Sequence, residues 1–586
     1  MKTGLKNTYR ILFVASSTLF ALTAVAAKIT FENKAQINKA LHAETMKIIP
    51  DPNVKIDSEY YKSDFEKLDD VIKNGRDIAR EVEEEGAVLL KNEGNALPLT
   101  AGHRKVSLFG VGSVDPVYSG TGSGSVDTAT AETFETAFNA NGLEVNPDLT
   151  KWYRDTKADN GRTEHIKWII PNVYGEVDGL DPRGADWDAV KVANNSTFAN
   201  YGDAAIFVIS RVGGEGMDMP ANIESTPIKS TSGDYLQLTE LERKTLAGLK
   251  AEKDAGVFSS IVVLINSSNP LDCSFLDDAS LGVDSALWIG SVGHTGLSGV
   301  ATLLTGAKNP SGSLPDTYFI DPVNTNPVMK NFGNFLFDNA GELVQPGRSF
   351  SSYATTLTYQ EGIYVGYKYT ETRYEDKVLG RENVGEFNYD DVVKYPFGHG
   401  LSYTSFSYSD FNATKNANHT YTVSVKVTNT GTIAGKEPVQ VYVQKPYTAY
   451  DVTHGVEKSA VNFVGFGKTK LLAAGESEVV TVNVEERDFA SYDADGSKTF
   501  FLDEGDYYLT VGKDAHDAVN NILTAKGKST SDGMTKAGDQ HLTKVFHLDF
   551  DKETYSKDPN TGNPVTNLFD EADPNKYKNR GDNKVT

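Results

Sequence analysis

The sequence predicts two folded units in series: an α/β sandwich domain with a mainly parallel sheet, then an all-β sandwich. Three observations predict it. Short, nearly continuous apolar runs alternate with helix-like segments in the first half of the chain. Such strands are buried on both faces, as in a parallel sheet covered by helices. After Pro322 the composition shifts towards Tyr and Gly, and over residues 405–515 the apolar pattern becomes strictly alternating. Period-2 runs separated by Gly- and Asn-bearing turns bury one face only, as in a sandwich of antiparallel sheets.

Taken in order, Lys2, Lys6 and Arg10 precede an apolar run from Ile11 to Ala27. A positive start, an apolar core and small residues at its exit read as a secretory signal. About 17 apolar residues is also the lower limit for spanning a bilayer, so residues 1–27 read equally as a membrane anchor. Either reading implies export. Residues 28–76 read as a connector that leads into a helical pattern from Asp57 to Glu93, carrying Ile78, Val82 and Leu89.

Residues 77–321 form the predicted α/β domain. Its strands are Val106–Gly112, Ala204–Arg211, Ser260–Ser268 and Ala286–Gly293, and its helices Glu132–Asn141, Thr239–Lys253 and Gly296–Leu304. Thr239 followed by Glu242 is the spacing of a capping box. Residues 322–404 read as a Tyr- and Gly-rich connecting segment. The sandwich at 405–515 takes Tyr421–Thr428, Pro438–Gln444, Glu478–Val484 and Asp506–Gly512 as strands. Residues 516–586, rich in Lys, Asp, Thr, Asn and Gly, read as a polar linker.

Charge and composition exclude several functions. Asp and Glu total 80 against 57 Lys and Arg, a formal net charge of -23, and no basic patch interrupts it, so no nucleic-acid partner is expected. The single cysteine, Cys273, excludes an intrachain disulfide framework and a Cys-rich zinc site. No H-E-x-x-H spacing occurs among the ten histidines, so no metal site is expected, and His294 and His399 beside glycines read as structural hydrogen-bonders. Gly120–Asp127 lacks the G-x-G-x-x-G fingerprint and no Walker motif is present, so no cofactor is expected. The absence of G-x-S-x-G removes support for an α/β-hydrolase serine.

The most informative segment is Arg211-Val-Gly-Gly-Glu-Gly-Met-Asp218. It leaves the carboxyl end of a buried strand, where α/β sheets place functional groups. Glycines on both sides leave Glu215 on a bare, adaptable loop. An ordinary acidic turn is the competing reading.

In order along the chain, Glu85–Glu93 with Leu97-Pro98-Leu99, Gly120–Asp127, Val208–Asp218, Asn309–Thr317, Tyr359–Tyr367 and Tyr395–Tyr403 resemble glycoside hydrolase family 3 of the β-glucosidase type. The sandwich resembles that family's fibronectin-III-like domain through Val427–Gly431, Gly435–Pro446, Val464–Gly467, Ala474–Ser477 and Ala490–Asp493. The resemblance implies retaining hydrolysis of β-glycosides or oligosaccharides, with Glu215 as general acid/base and Asp218 and Glu224 as fallback candidates. It leaves the residues that bind the sugar unknown.

Two departures qualify it. In the family a (β/α)₈ barrel supplies the nucleophilic aspartate, usually within Ser-Asp-Trp, and no such string occurs here; Asp186-Trp187 is the nearest. The order looks permuted, with a barrel expected after the polar linker as a partner domain or chain and no nucleophile in these 586 residues. Where many members have Arg after the aspartate of the Glu loop, this chain has Met219. The alternative implied function is a non-catalytic exported protein that binds carbohydrate or protein.

Overall fold

A computed structural model describes scattered positions between 13 and 34, then residues 64–160, 163–170, 174–181, 184–214, 235–331, 335–336, 355–356, 361–381 and 384–566. Two compact units divide the chain, Met1–Val71 and Ile72–Thr586, and both sandwiches lie in the second. Eleven of the seventeen residues of the apolar run Ile11–Ala27 are described, and each is helical and exposed. Among those described, no helix is long and apolar enough to cross a membrane.

The first domain opens with helix α1 (Leu68–Gly86), strand β1 (Val88–Asn92), β2 (Lys105–Phe109), α2 (Phe134–Ala140), β3 (Glu144–Val145) and α3 (Pro147–Asp155). It continues with α4 (Trp187–Phe198), β4 (Ala204–Arg211), α5 (Glu240–Asp254), β5 (Ile261–Ser267), β6 (Ser285–Trp288), α6 (Gly296–Leu304) and β7 (Tyr318–Phe319). Six of these strands form one sheet in the order β1-β6-β5-β4-β2-β3. Only the β1–β6 pair is antiparallel; the β2–β3, β2–β4, β4–β5 and β5–β6 pairs are parallel. The sheet is therefore mainly parallel, as its unbroken apolar runs predict.

Alternation along β4 separates two cores. Phe207 and Ile209 pack with residues of α3, α4 and α5, while Ile206 and Val208 pack with residues of α2 and α6. All eight residues of β4 are buried, which is why its sequence shows no polar face. Cys273 is wholly buried, and burial pushes its thiol pKa up.

The long helical pattern from Asp57 to Glu93 needs correction. Helix α1 stops at Gly86, and Leu89 belongs to β1, where it pairs with Leu287 and is fully buried. Gly86 weakens the helix and the Ala87–Leu90 run gains more by covering the sheet edge. Ile78 and Val82 are exposed, and α1 instead lays Glu83 against Gly296 and Gly299 of α6. One carboxylate oxygen of Glu83 has no hydrogen-bond partner, and burial raises its pKa well above the usual range. A folded-state pKa above the unfolded one means that stability falls as pH rises from about 4.5 through the folded value. Glu83→Gln should therefore match the wild type near pH 4.5 and become the more stable protein by about 1–3 kcal/mol above the folded pKa. Thermal unfolding at pH 4.5 and pH 8 tests this; a stability difference independent of pH would contradict it.

The second domain follows a connecting stretch that contains α7 (Tyr367–Val378) and β8 (Val393–Tyr395), the latter paired with β7. Its strands are β9 (Phe406–Lys415), β10 (Thr420–Asn429), β11 (Pro438–Gln444), β12 (Asn462–Lys468), β13 (Ser477–Glu485) and β14 (Gly505–Gly512). They are completed by α8 (Ala515–Ala525) and β15 (Thr543–Leu548). One sheet runs β9-β10-β13 and the other β12-β11-β14-β15. Val423, Val425 and Val427 of one face Val439, Val441 and Val443 of the other across a shared core.

The reading of residues 516–586 as a linker is corrected over its described part. Ala515, Ala518, Val519, Ile522 and Leu523 form the buried stripe of α8, packed with Tyr374 and Tyr442. The expected domain boundary cut through this stripe and hid its period. Strand β15 then adds to the open edge of β14, with Val545 opposite Tyr508. An edge strand is held by backbone bonds, so it needs few apolar residues and left little trace in the sequence. Residues 567–586 lie outside the described set.

The two domains are pinned together. The Asn309 amide donates to the Ala434 carbonyl at 3.0 Å and its oxygen accepts from Ser402 Oγ and the Tyr403 amide, each at 2.9 Å. Glu85 at the end of α1 accepts from Lys436 and, at 2.6 Å, from Lys468. Burial alone would raise the Glu85 pKa; the two ammonium groups outweigh it and hold the carboxyl below its usual range.

Candidate functional site

The sheet order sets where a site belongs. From β2 the chain passes to β3 on one side, then crosses back to β4, β5 and β6 on the other. The crevice outside the carboxyl ends of β2 and β4 is thus a topological switch point, the usual ligand position in open α/β sheets. The loop beginning at Val212 leaves there.

Glu215, Asp218 and Glu224 themselves lie outside the described residues. What is described is the foot of their loop, built from both directions. Arg211, 1% exposed at the end of β4, makes two 2.7 Å bonds to the Glu242 carboxylate. Its Nε donates to the Tyr235 carbonyl and its Nη2 to the Gln237 carbonyl, both at 2.9 Å. Tyr235 returns the contact, its hydroxyl donating to the Val212 carbonyl at 3.2 Å. One buried guanidinium therefore closes the outgoing and returning legs of the loop.

Glu242 also serves the local structure. Its Oε2 accepts from the Thr239 amide at 2.8 Å while Thr239 Oγ1 accepts from the Glu242 amide at 3.2 Å, which completes the capping box of α5. The helix start and the loop foot share one carboxylate.

Close packing explains the glycines. A Cβ on Gly213 would stand 2.5 Å from Asn269 Nδ2, and one on Gly214 would overlap Thr121. The segment immediately before Glu215 is thus threaded between the loop after β5 and the glycine-rich Gly120–Asp127 stretch. Just before that stretch, the chain at Val117 is held by Asn266, wholly buried at the end of β5. Asn266 Oδ1 accepts from the Val117 amide at 2.6 Å, and its Nδ2 donates to the carbonyls of Val117 and Gly290 at 2.9 and 2.7 Å. The sequence marks Glu242 only as part of a capping box, not as the partner of Arg211, and gives no sign of Asn266, because a polar residue closing a buried strand looks ordinary without its partners. The cavity behind β2 and β4, lined by Tyr153, Phe207 and Glu242, measures about 20 Å³ and holds water at most.

Other singled-out residues take structural places. Asp186 caps α4 by accepting from the Asp188 amide and pairs with Lys244 at 2.8 Å, and Trp187 is buried in the core. His294 bonds the Asp127 carbonyl at 2.8 Å. His399 stacks on Tyr395 with ring centres 4.6 Å apart, and burial lowers its pKa to about 4, leaving it neutral at physiological pH.

Comparison with known proteins places both domains. Residues 87–367 match the glycosyl hydrolase family 3 C-terminal domain, and residues 437–515 the fibronectin type III-like domain. A β-glucosidase of Ruminococcus albus is 32% identical over 445 residues, covering 75% of this chain and 39% of that protein. β-Glucosidase A of Butyrivibrio fibrisolvens is 30% identical over 465 residues, covering 74% and 49%. Among solved structures, a Paenibacillus barengoltzii β-glucosidase aligns at TM-score 0.58 with 30% identity, over 75% of this chain and 41% of that one. β-Glucosidase 3B of Thermotoga neapolitana, solved with glucose, aligns at TM-score 0.57 with 27% identity, over 82% and 54%. The chain spans about half the length of the relatives it matches, between 39% and 54% for these four. The chain thus resembles the C-terminal domain of glycosyl hydrolase family 3 over residues 87–367 and a fibronectin type III-like domain over residues 437–515.

Proposed function

We propose that this chain supplies the acid/base half of a retaining β-glucosidase-like site, with Glu215 as the proton donor. The observation that carries the reading is the loop foot: Arg211 and Tyr235 hold both legs of the Glu215 loop at the switch point of the sheet. Retaining hydrolysis needs a second carboxyl about 5–5.5 Å from the acid, acting as nucleophile. That nucleophile would come from a (β/α)₈ barrel, as a separate domain or chain, since no Ser-Asp-Trp occurs here. A carboxyl desolvated against a barrel would hold its proton until the glycosidic oxygen accepts it. Substrates are β-glycosides or oligosaccharides, and the N-terminal apolar run supports an exported or surface-anchored protein. The test replaces Glu215 in protein complemented by a barrel and compares substrates of poor and good leaving-group ability. A loss equal for both contradicts the assignment and moves it to Asp218 or Glu224.

The missing Ser-Asp-Trp also supports a second reading, an exported binding protein without catalysis. Sugar binding with no turnover in the barrel-complemented protein would favour it.

A further inference from the structure

A second cavity lies between α7 and the second domain. It measures about 330 Å³ and is lined in part by Tyr364, Arg381, Lys445, Tyr447, Tyr508 and Lys526. That volume is in the range of small-molecule pockets and matches a mono- or disaccharide. Its charges are almost all committed. Glu375 accepts from Lys526 at 2.9 Å, Asp376 pairs with Arg381, and Asp506 pairs with His547 at 2.8 Å. Lys458 is buried between Asp451, at 2.7 Å, and Asp503.

Lys445 is different. Its ammonium makes a hydrogen bond at 2.5 Å to the Ala490 carbonyl, a neutral acceptor, and among the described residues it forms no ion pair with a carboxylate. Burial, with the like charges of Lys458 and Lys368, lowers its pKa to about 8 against the weaker pull of Asp503 and Asp488. An ammonium held this way, in a chain of net charge -23, is an incomplete pair. One uncommitted cation suits a singly charged carboxylate better than a dianionic phosphate. Tyr364, Tyr447 and Tyr508 add aromatic bodies with polar tips, and Tyr447 is 55% exposed at the wall.

We propose that this cavity binds a sugar acid, with the ligand carboxylate on Lys445 and the sugar ring against Tyr447. The site does not depend on the reading of Glu215.

The test is titration calorimetry of the full chain with D-glucuronate, D-glucose and inorganic phosphate at pH 7 and pH 9. Glucuronate alone should bind, with affinity at least about tenfold weaker in Lys445→Met and Tyr447→Ala. Affinity should also fall at pH 9, where Lys445 has lost most of its charge. Tyr447→Ala removes an exposed side chain, so it reports on binding even where Lys445→Met fails to fold. Equal binding of glucose, tighter binding of phosphate, an unchanged affinity in either folded variant, or no glucuronate binding below about 10 mM would each overturn the proposal.

Discussion

Arg211→Met should destabilise the protein by about 3–5 kcal/mol, because it strands the buried Glu242 carboxylate without its partner. The same change releases the carbonyls of Tyr235 and Gln237, so the loop foot opens as the core weakens. Spread over a domain of this size, the loss lowers the unfolding temperature by roughly 8–15 °C. The double variant Arg211→Met/Glu242→Leu should recover part of that loss, since no lone charge stays buried. Recovery stays incomplete because the capping box of α5 and both carbonyl contacts are gone. Denaturant unfolding of the two single variants and the double measures the coupling. Additive single losses would show that the pair does not act as a unit.

Glu215→Ala, in protein complemented by a barrel, should cut hydrolysis of poor leaving groups by about 10²–10⁴-fold, the usual range for a lost general acid. Activated aryl glycosides depart without protonation, so their loss should be smaller by at least about tenfold. Azide should restore part of the activated-substrate turnover by attacking the glycosyl-enzyme where base-assisted water no longer can. The bland alternative, a solvated turn carboxylate, limits any effect on stability to about 0.5 kcal/mol and moves neither rate. Leaving-group dependence separates the two readings without relying on the size of the loss.

The fold was legible where burial is one-sided or complete. Strands β4 and β5 announced themselves because every residue is buried, and β10 because alternate residues are, whereas β11, read as alternating, is buried at every residue after Pro438. The capping box at Thr239 was legible because it is local, three residues wide. What escaped was decided by distant partners. Helix α8 and strand β15 read as linker because one packs across an expected boundary and the other relies on backbone bonds to β14. Ile78 and Val82 read as core-facing, whereas the face of α1 that meets α6 carries Glu83. At the site, the glycines around Glu215 read as a bare, adaptable loop, which revealed neither the close packing at Gly213 and Gly214 nor the Arg211 clamp, whose partners lie 24 to 31 residues away.

The central claim is that this chain holds an acid/base without its nucleophile, and its own hydrolytic rate tests that most directly. Purified chain should be assayed against an aryl β-glucoside beside a Glu215→Gln control, with no barrel added. An acid alone gives little acceleration, so both proteins should show the same background rate, without measurable turnover. Turnover by the wild-type chain well above the Glu215→Gln control would contradict the account and place a nucleophile within these 586 residues.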